Sequence, residues 1–257
     1  MESLILTASS STSIRSGRWP IDRGGNYTKG VSGMKRAVIA GASGMVGTRL
    51  VKALLDKQIY DEIHLISRRR TVFHRNPSIT EHIVHFDELD RASHVFEEGD
   101  HVYVLLGTTM KQAGSKANFV RVDYTYPLKL AELAKAGKAA QFLTVTAMGA
   151  DRDSTFFYNR VKGRFEDELI AMKLPGLQIF RPSLLLGERN DVRPGEKAAE
   201  VVARPLMKWM TGRLEKYRPV EGDQLAEVML TIAGLERTGF YLYESDDIQA
   251  ISQHVRA

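Results

Sequence analysis

Cysteine is absent from the 257 residues, which excludes disulfides and thiolate chemistry and fits a reducing compartment. No apolar run approaches the ~18 residues that a membrane span requires, so no transmembrane segment is expected. No internal repeat is present. Charge of one sign is not concentrated either: the net charge is +5, part of it in residues 1–33 and the remainder thinly spread. So small an excess is weak support for a phosphate-backbone ligand, and no nucleic-acid partner is expected. What remains, with 43% hydrophobic and 26% charged residues, has the balance of a globular protein with one sizeable core.

Residues 1–33 are rich in Ser, Thr and Gly and lack a sustained period of 2 or 3.6. Such a segment buries too little to offset the entropy of ordering it. It has no continuous apolar stretch of the secretory type. Its Ser/Arg-rich, acid-poor composition resembles an organellar transit peptide, so organellar targeting stays open beside a cytoplasmic location. The preferred reading is a disordered extension or a misassigned start, with Met34 opening the domain. Residues 34–257 then form one domain, its C-terminal part (about 187–257) supplying the substrate region.

From Lys35 onward, short apolar runs alternate with segments of helical period. Strands are predicted at 37–40, 63–66, 83–86, 102–106, 142–146 and 177–180, with a last one at 240–243. Helices are predicted around Val46–Leu55, 128–134, 161–170, 198–210 and 224–233. Alternation of this kind implies parallel strands and right-handed crossovers, hence a doubly wound α/β sheet of Rossmann type.

The string Gly41-Ala42-Ser43-Gly44-Met45-Val46-Gly47 lies between the first strand and the first helix. A tight turn there needs residues without a Cβ, and the amides of the helix N-terminus suit a pyrophosphate. Nucleotide choice is read about 20 residues on, where an NAD site usually carries a carboxylate for the ribose diol. No acid is present at that point; Ser67-Arg68-Arg69-Arg70 stands there instead. The guanidinium groups of Arg68 and Arg69 suit a 2′-phosphate, so NADP(H) is expected over NAD(H).

Tyr158 and Lys162 are four residues apart on one helix face. A phenol is a poor base at neutral pH, and a nearby ammonium favours its ionised form. Thr146 closes the fifth strand, and its hydroxyl is placed to orient a carbonyl. Together they predict hydride transfer to a small carbonyl substrate.

Gly41–Gly47, Tyr158 and Lys162 together resemble a short-chain dehydrogenase/reductase. Several stretches narrow the resemblance to the atypical, oxidoreductase-like group around the HIV Tat-interacting protein: Leu106-Gly107-Thr108-Thr109, Gly149-Ala150-Asp151, the residues from Tyr158 to Gly163, Arg181-Pro182-Ser183-Leu184-Leu185 and Arg193-Pro194-Gly195-Glu196. The similarity runs from about Lys35 to about Ala233. It implies that Ser43, Gly44, Met45 and Val46 wrap the diphosphate and that Asp87 lies near the adenine. It further implies that Leu106, Gly107 and Thr108 line the cofactor, that Lys162 holds the nicotinamide ribose, and that Leu185 and Arg193 sit near the far end. The resemblance leaves two rivals to a carbonyl reductase open: an NADPH-sensing regulatory protein and a nucleotide-sugar epimerase or dehydratase.

Two positions depart from the family pattern. The paired serines at the fifth strand read Thr146-Ala147, and Asp123 replaces the helix asparagine of extended relatives, so no relay role is assigned to it. His82 and His85 flank a predicted strand, where three-residue spacing puts them on opposite faces; no metal site is expected. Leu206, Met207 and Met210 read as core or as an oligomer contact, leaving a homodimer or protein partner open.

Overall fold

In the computed structural model, residues 35–187 and 217–256 are described. Arg193 and the helix predicted at 198–210 lie outside the described residues.

Seven strands form one parallel sheet: β1 (Arg36–Ala40), β2 (Glu62–Ser67), β3 (Ile79–Ile83), β4 (His101–Val104), β5 (Gln141–Val145), β6 (Gly176–Arg181) and, after a short pair, β9 (Gly239–Glu244). Their spatial order is β3-β2-β1-β4-β5-β6-β9. The short pair is β7 (Leu185–Leu186) with β8 (Val220–Glu221), also parallel. A parallel sheet is covered on both faces, which is why β1 and β4 are buried along their whole length.

Alternation along the strands sorts the two faces. Val38, Ala40, Val102, Val104, Leu177 and Ile179 face one apolar layer. That layer is supplied by a kinked 3-10 stretch (Phe86–Val95), the helix that runs Tyr126–Ala136 and the helix that runs Phe157–Met172. The opposite face meets α1 (Met45–Lys57), which packs on the helix Gly222–Gly234, itself against the helix Ser245–Arg256. Among the described residues the remaining α-helices, in chain order, are α2 (Met110–Ala113), α3 (Lys116–Val120), α4 (Tyr126–Ala136), α5 (Phe157–Met172), α6 (Gly222–Gly234) and α7 (Ser245–Arg256).

The expected doubly wound parallel α/β architecture is present, with one displaced strand. The third strand is Ile79–Ile83, not the apolar run 83–86, because it is the sheet's outer edge and only half-buried. Val84 and His85 belong to the connection, and Phe86 opens the 3-10 stretch. His82 and His85 do not converge: His82 Nε2 lies 3.0 Å from His64 Nδ1, while the exposed His85 accepts from the Asp87 amide. Among the described residues no helix is long and apolar enough to cross a membrane.

Candidate active site

The strand order reverses direction between β1 and β4, and at the carboxyl ends of such strands a doubly wound sheet opens a crevice. A cavity of about 460 Å³ lies there, lined by the segments that follow β1, β4, β5 and β6 and by one face of α5.

Gly41 adopts φ +97°, and a Cβ on it would come within 2.6 Å of the Leu105 carbonyl oxygen. At Gly47 a Cβ would meet the Gly41 oxygen at 2.1 Å. Glycine at both places lets α1 start directly against β1 and β4. Gly44 caps α1 without any side-chain acceptor, and no acid occupies the first turn. The first amides of α1 therefore face the cavity with their partial positive charge uncompensated, a cradle for an anion. This turn fits the pyrophosphate of a dinucleotide. Ser43, Gly44, Met45 and Val46 line the cavity, while Gly41 and Gly47 shape the turn behind it.

At the end of β2, Arg68 and Arg69 are exposed. The Arg68 guanidinium lies 5.6 Å from the centroid of the Phe86 ring, a cation–π distance. The Ser67 hydroxyl donates to the Arg69 carbonyl at 2.8 Å, tightening the loop. Asp87 accepts from the Tyr126 hydroxyl at 2.7 Å, and that bond holds its carboxyl below the ordinary range. Arg68, Arg69 and Asp87 thus gather beyond the β2 and β3 ends, outside the cavity proper.

On the other wall, Tyr158 and Lys162 both line the cavity. Tyr158 is 37% exposed and its ring leans on Phe119, at 5.5 Å between centroids. Gly163 allows this placement: a Cβ there would lie 2.2 Å from the Arg152 nitrogen, so only glycine lets the loop after β5 cross α5. Lys162 is buried and bonded to Asp123 Oδ1 at 2.8 Å. Asp123 Oδ2 accepts from the Thr108 amide at 2.9 Å. Asp123 sits in a π-helical turn, Arg121–Thr125, between α3 and α4; such turns are frequent at functional sites. One carboxylate therefore ties the loop after β4 to the lysine of α5. Leu106, Gly107, Thr108 and Leu185 line the cavity alongside.

Thr146 also lines the cavity, but its hydroxyl donates at 2.5 Å to Glu166, one turn beyond Lys162 on α5. Glu166 is bound by the Arg181 guanidinium through Nε at 3.0 and 3.1 Å and through Nη2, and Arg181 reaches on to Glu244 at 2.9 Å. Burial pushes the Glu166 carboxyl above its ordinary range, with Arg181 and Thr146 acting against the rise. Sequence reasoning missed both Asp123 as the partner of Lys162 and this Glu166–Arg181 clamp. The spacing Tyr158, Lys162, Glu166 on one helix face was the available signal for the second.

The NAD dependent epimerase/dehydratase family model matches residues 37–160. Protein HTATIP2 of Rattus norvegicus is 40% identical over 164 residues, 63% of this chain and 67% of that protein. The mitochondrial protein FMP52-1 of Scheffersomyces stipitis is 33% identical over 206 residues, 77% of this chain and 87% of its own. Among solved structures, the Bordetella bronchiseptica enzyme WbmH in complex with NAD+ superposes with a TM-score of 0.62 at 15% identity. It covers 87% of this chain and 81% of that one, a likeness of fold.

Proposed function

The chain belongs to the atypical short-chain dehydrogenase/reductase family of the Tat-interacting type, and we propose that it is an NADP(H)-dependent oxidoreductase acting on a small carbonyl compound. One observation carries this reading: Tyr158 and Lys162 share a cavity with an uncapped helix N-terminus that fits a dinucleotide pyrophosphate. When bound, the reduced nicotinamide supplies a hydride to the carbonyl carbon. Tyr158 gives its phenolic proton to the carbonyl oxygen, so the product is an alcohol. Lys162, anchored by Asp123, holds the nicotinamide ribose beside Tyr158. Thr146 stands on the β5 side of the same cavity and bounds the carbonyl's place there, its hydroxyl proton being given to Glu166. Leu106, Gly107, Thr108 and Leu185 bound the cofactor channel, and Arg193 is assigned to it by resemblance.

Arg68 and Arg69, exposed and with no ion-pair partner among the described residues, take the 2′-phosphate. Replacing both by alanine weakens NADPH binding more than tenfold while changing NADH binding little; calorimetry with the two nucleotides checks this, and equal losses would remove the NADP assignment. For turnover, the test is a panel of aldehydes and ketones followed by NADPH absorbance, comparing the unaltered chain with Tyr158→Phe. Oxidation of NADPH that Tyr158→Phe abolishes supports the reductase. Tight binding without turnover of any compound supports an NADPH-sensing protein instead.

A second reading has a specific observation behind it, because the matching family model is that of epimerases and dehydratases. Isomerisation of a nucleotide sugar with the cofactor returned unchanged would favour it. On location, the cytoplasm is the expected site, whereas residues 1–33 and the mitochondrial designation of FMP52-1 support an organelle. Fractionation of cells carrying the chain with and without residues 1–33 separates the two.

A further inference from the structure

Among the described residues that line the cavity, Asp123 and Lys162 are the only charged side chains. Their side chains are 1% and 4% exposed, so neither charge is screened by water, and at 2.8 Å they act on their surroundings as a neutral pair. The carboxylate is fixed from its other side by the Thr108 amide, and the ammonium by its place on α5. Behind Thr146 stand Glu166 and Glu244, each bonded to Arg181.

Charge balance matters for the cofactor assigned above, because the two redox forms of a nicotinamide differ by one unit. The oxidised ring is a cation and the reduced ring is neutral. A lone buried lysine would make the cavity positive and disfavour the oxidised form. With a carboxylate paired to it, that penalty is absent. We propose that Asp123 is a positioning residue that sets the redox-form preference of the site: by cancelling Lys162 it lets the cavity take up oxidised and reduced NADP with similar affinity. The inference rests on the NADP(H) reading of the site. It gives Asp123 a role for which amide-bearing asparagine, neutral at all pH, is no substitute.

The test is isothermal calorimetry of the full chain with NADP+ and with NADPH, separately, for the unaltered protein, Asp123→Asn, and Asp123→Asn combined with Lys162→Gln. In the unaltered protein the two dissociation constants lie within about threefold of each other. Asp123→Asn leaves the lysine charge uncancelled and weakens NADP+ relative to NADPH by about three- to tenfold. The double variant is neutral again, so its ratio returns toward that of the unaltered protein even though both nucleotides bind more weakly. A purely structural Asp123 would move both redox forms alike, and that result overturns the inference. So does a double variant that keeps the ratio of the single one, or an unaltered protein that prefers NADPH by more than about tenfold; this last measurement holds even if Asp123→Asn does not fold. If the unaltered protein binds neither nucleotide, the functional reading itself falls and the inference with it.

Discussion

Thr146 has a single hydroxyl proton, and it is directed at Glu166, away from the cavity. That proton is therefore not available to a carbonyl while Glu166 is ionised, and the hydroxyl's remaining capacity is as an acceptor. Thr146→Val takes a donor from a carboxylate whose side chain is 4% exposed, leaving it less satisfied. The expected cost is about 1–3 kcal/mol, read as a lower melting temperature, with Thr146→Ser close to the unaltered protein. A Thr146→Val chain as stable as the original would mean that the bond contributes nothing. Tyr243 makes the same kind of argument on the other face of the sheet. Its hydroxyl donates to Gln178 Oε1 at 2.8 Å, its ring stacks on Phe180 at 4.7 Å, and Gln178 in turn donates to Gln141. Tyr243→Phe keeps the stacking and strands a buried acceptor, so denaturant titration is expected to lose about 1–3 kcal/mol.

At the scale of elements, the junction of β1 and α1 is set by close backbone approach. Gly47→Ala would drive a Cβ to 2.1 Å from the Gly41 oxygen, so α1 must shift away from β1. About 1–3 kcal/mol of stability is expected to go, and with it at least tenfold in nucleotide affinity. Calorimetry that finds unchanged affinity would separate the turn from the ligand. This junction was legible in the sequence because glycine spacing and an apolar run coincide. The same holds for β2, β4, β5 and β6, each a short apolar stretch between polar connections. β3 was misplaced because an edge strand buries little, so Ile79-Thr80-Glu81-His82-Ile83 carries a weaker signal than the apolar residues that follow it. α7 went unread; its acidic first turn and polar composition mask a buried stripe that includes Ile248 and Ile251. In the site, Tyr158 and Lys162 were legible from one helical spacing. Their link to Asp123 was not, since it joins elements far apart in the chain, and a π-helical turn changes the phase of side chains along the segment that carries it.

For the molecule as a whole, pH is the informative variable. His101 is buried at the start of β4, with Nδ1 2.7 Å from the Tyr60 hydroxyl, which also meets Tyr103. Burial lowers its pKa to about 4. A histidine whose folded pKa is depressed contributes stability that is complete above its unfolded value, near 6.5, and that is lost as pH falls toward the folded value. The chain should therefore lose up to about 3 kcal/mol between pH 6.5 and 4, with His82, lowered by burial and by His64, acting in the same direction. Melting temperatures across that interval check it, and His101→Gln should flatten the slope; an unchanged slope would assign the acid sensitivity elsewhere.

β9 has one further consequence. Last of the strands among the described residues, it pairs with β6 from Gly176↔Gly239 to Arg181↔Glu244. Cut before Gly239, the protein would present β6 as a raw margin of Leu177, Ile179 and Phe180, all buried at present, with its amides and carbonyls unpaired. Such a margin recruits strands from other molecules. Pairing with β9 is thus what keeps that margin from adhering to other molecules.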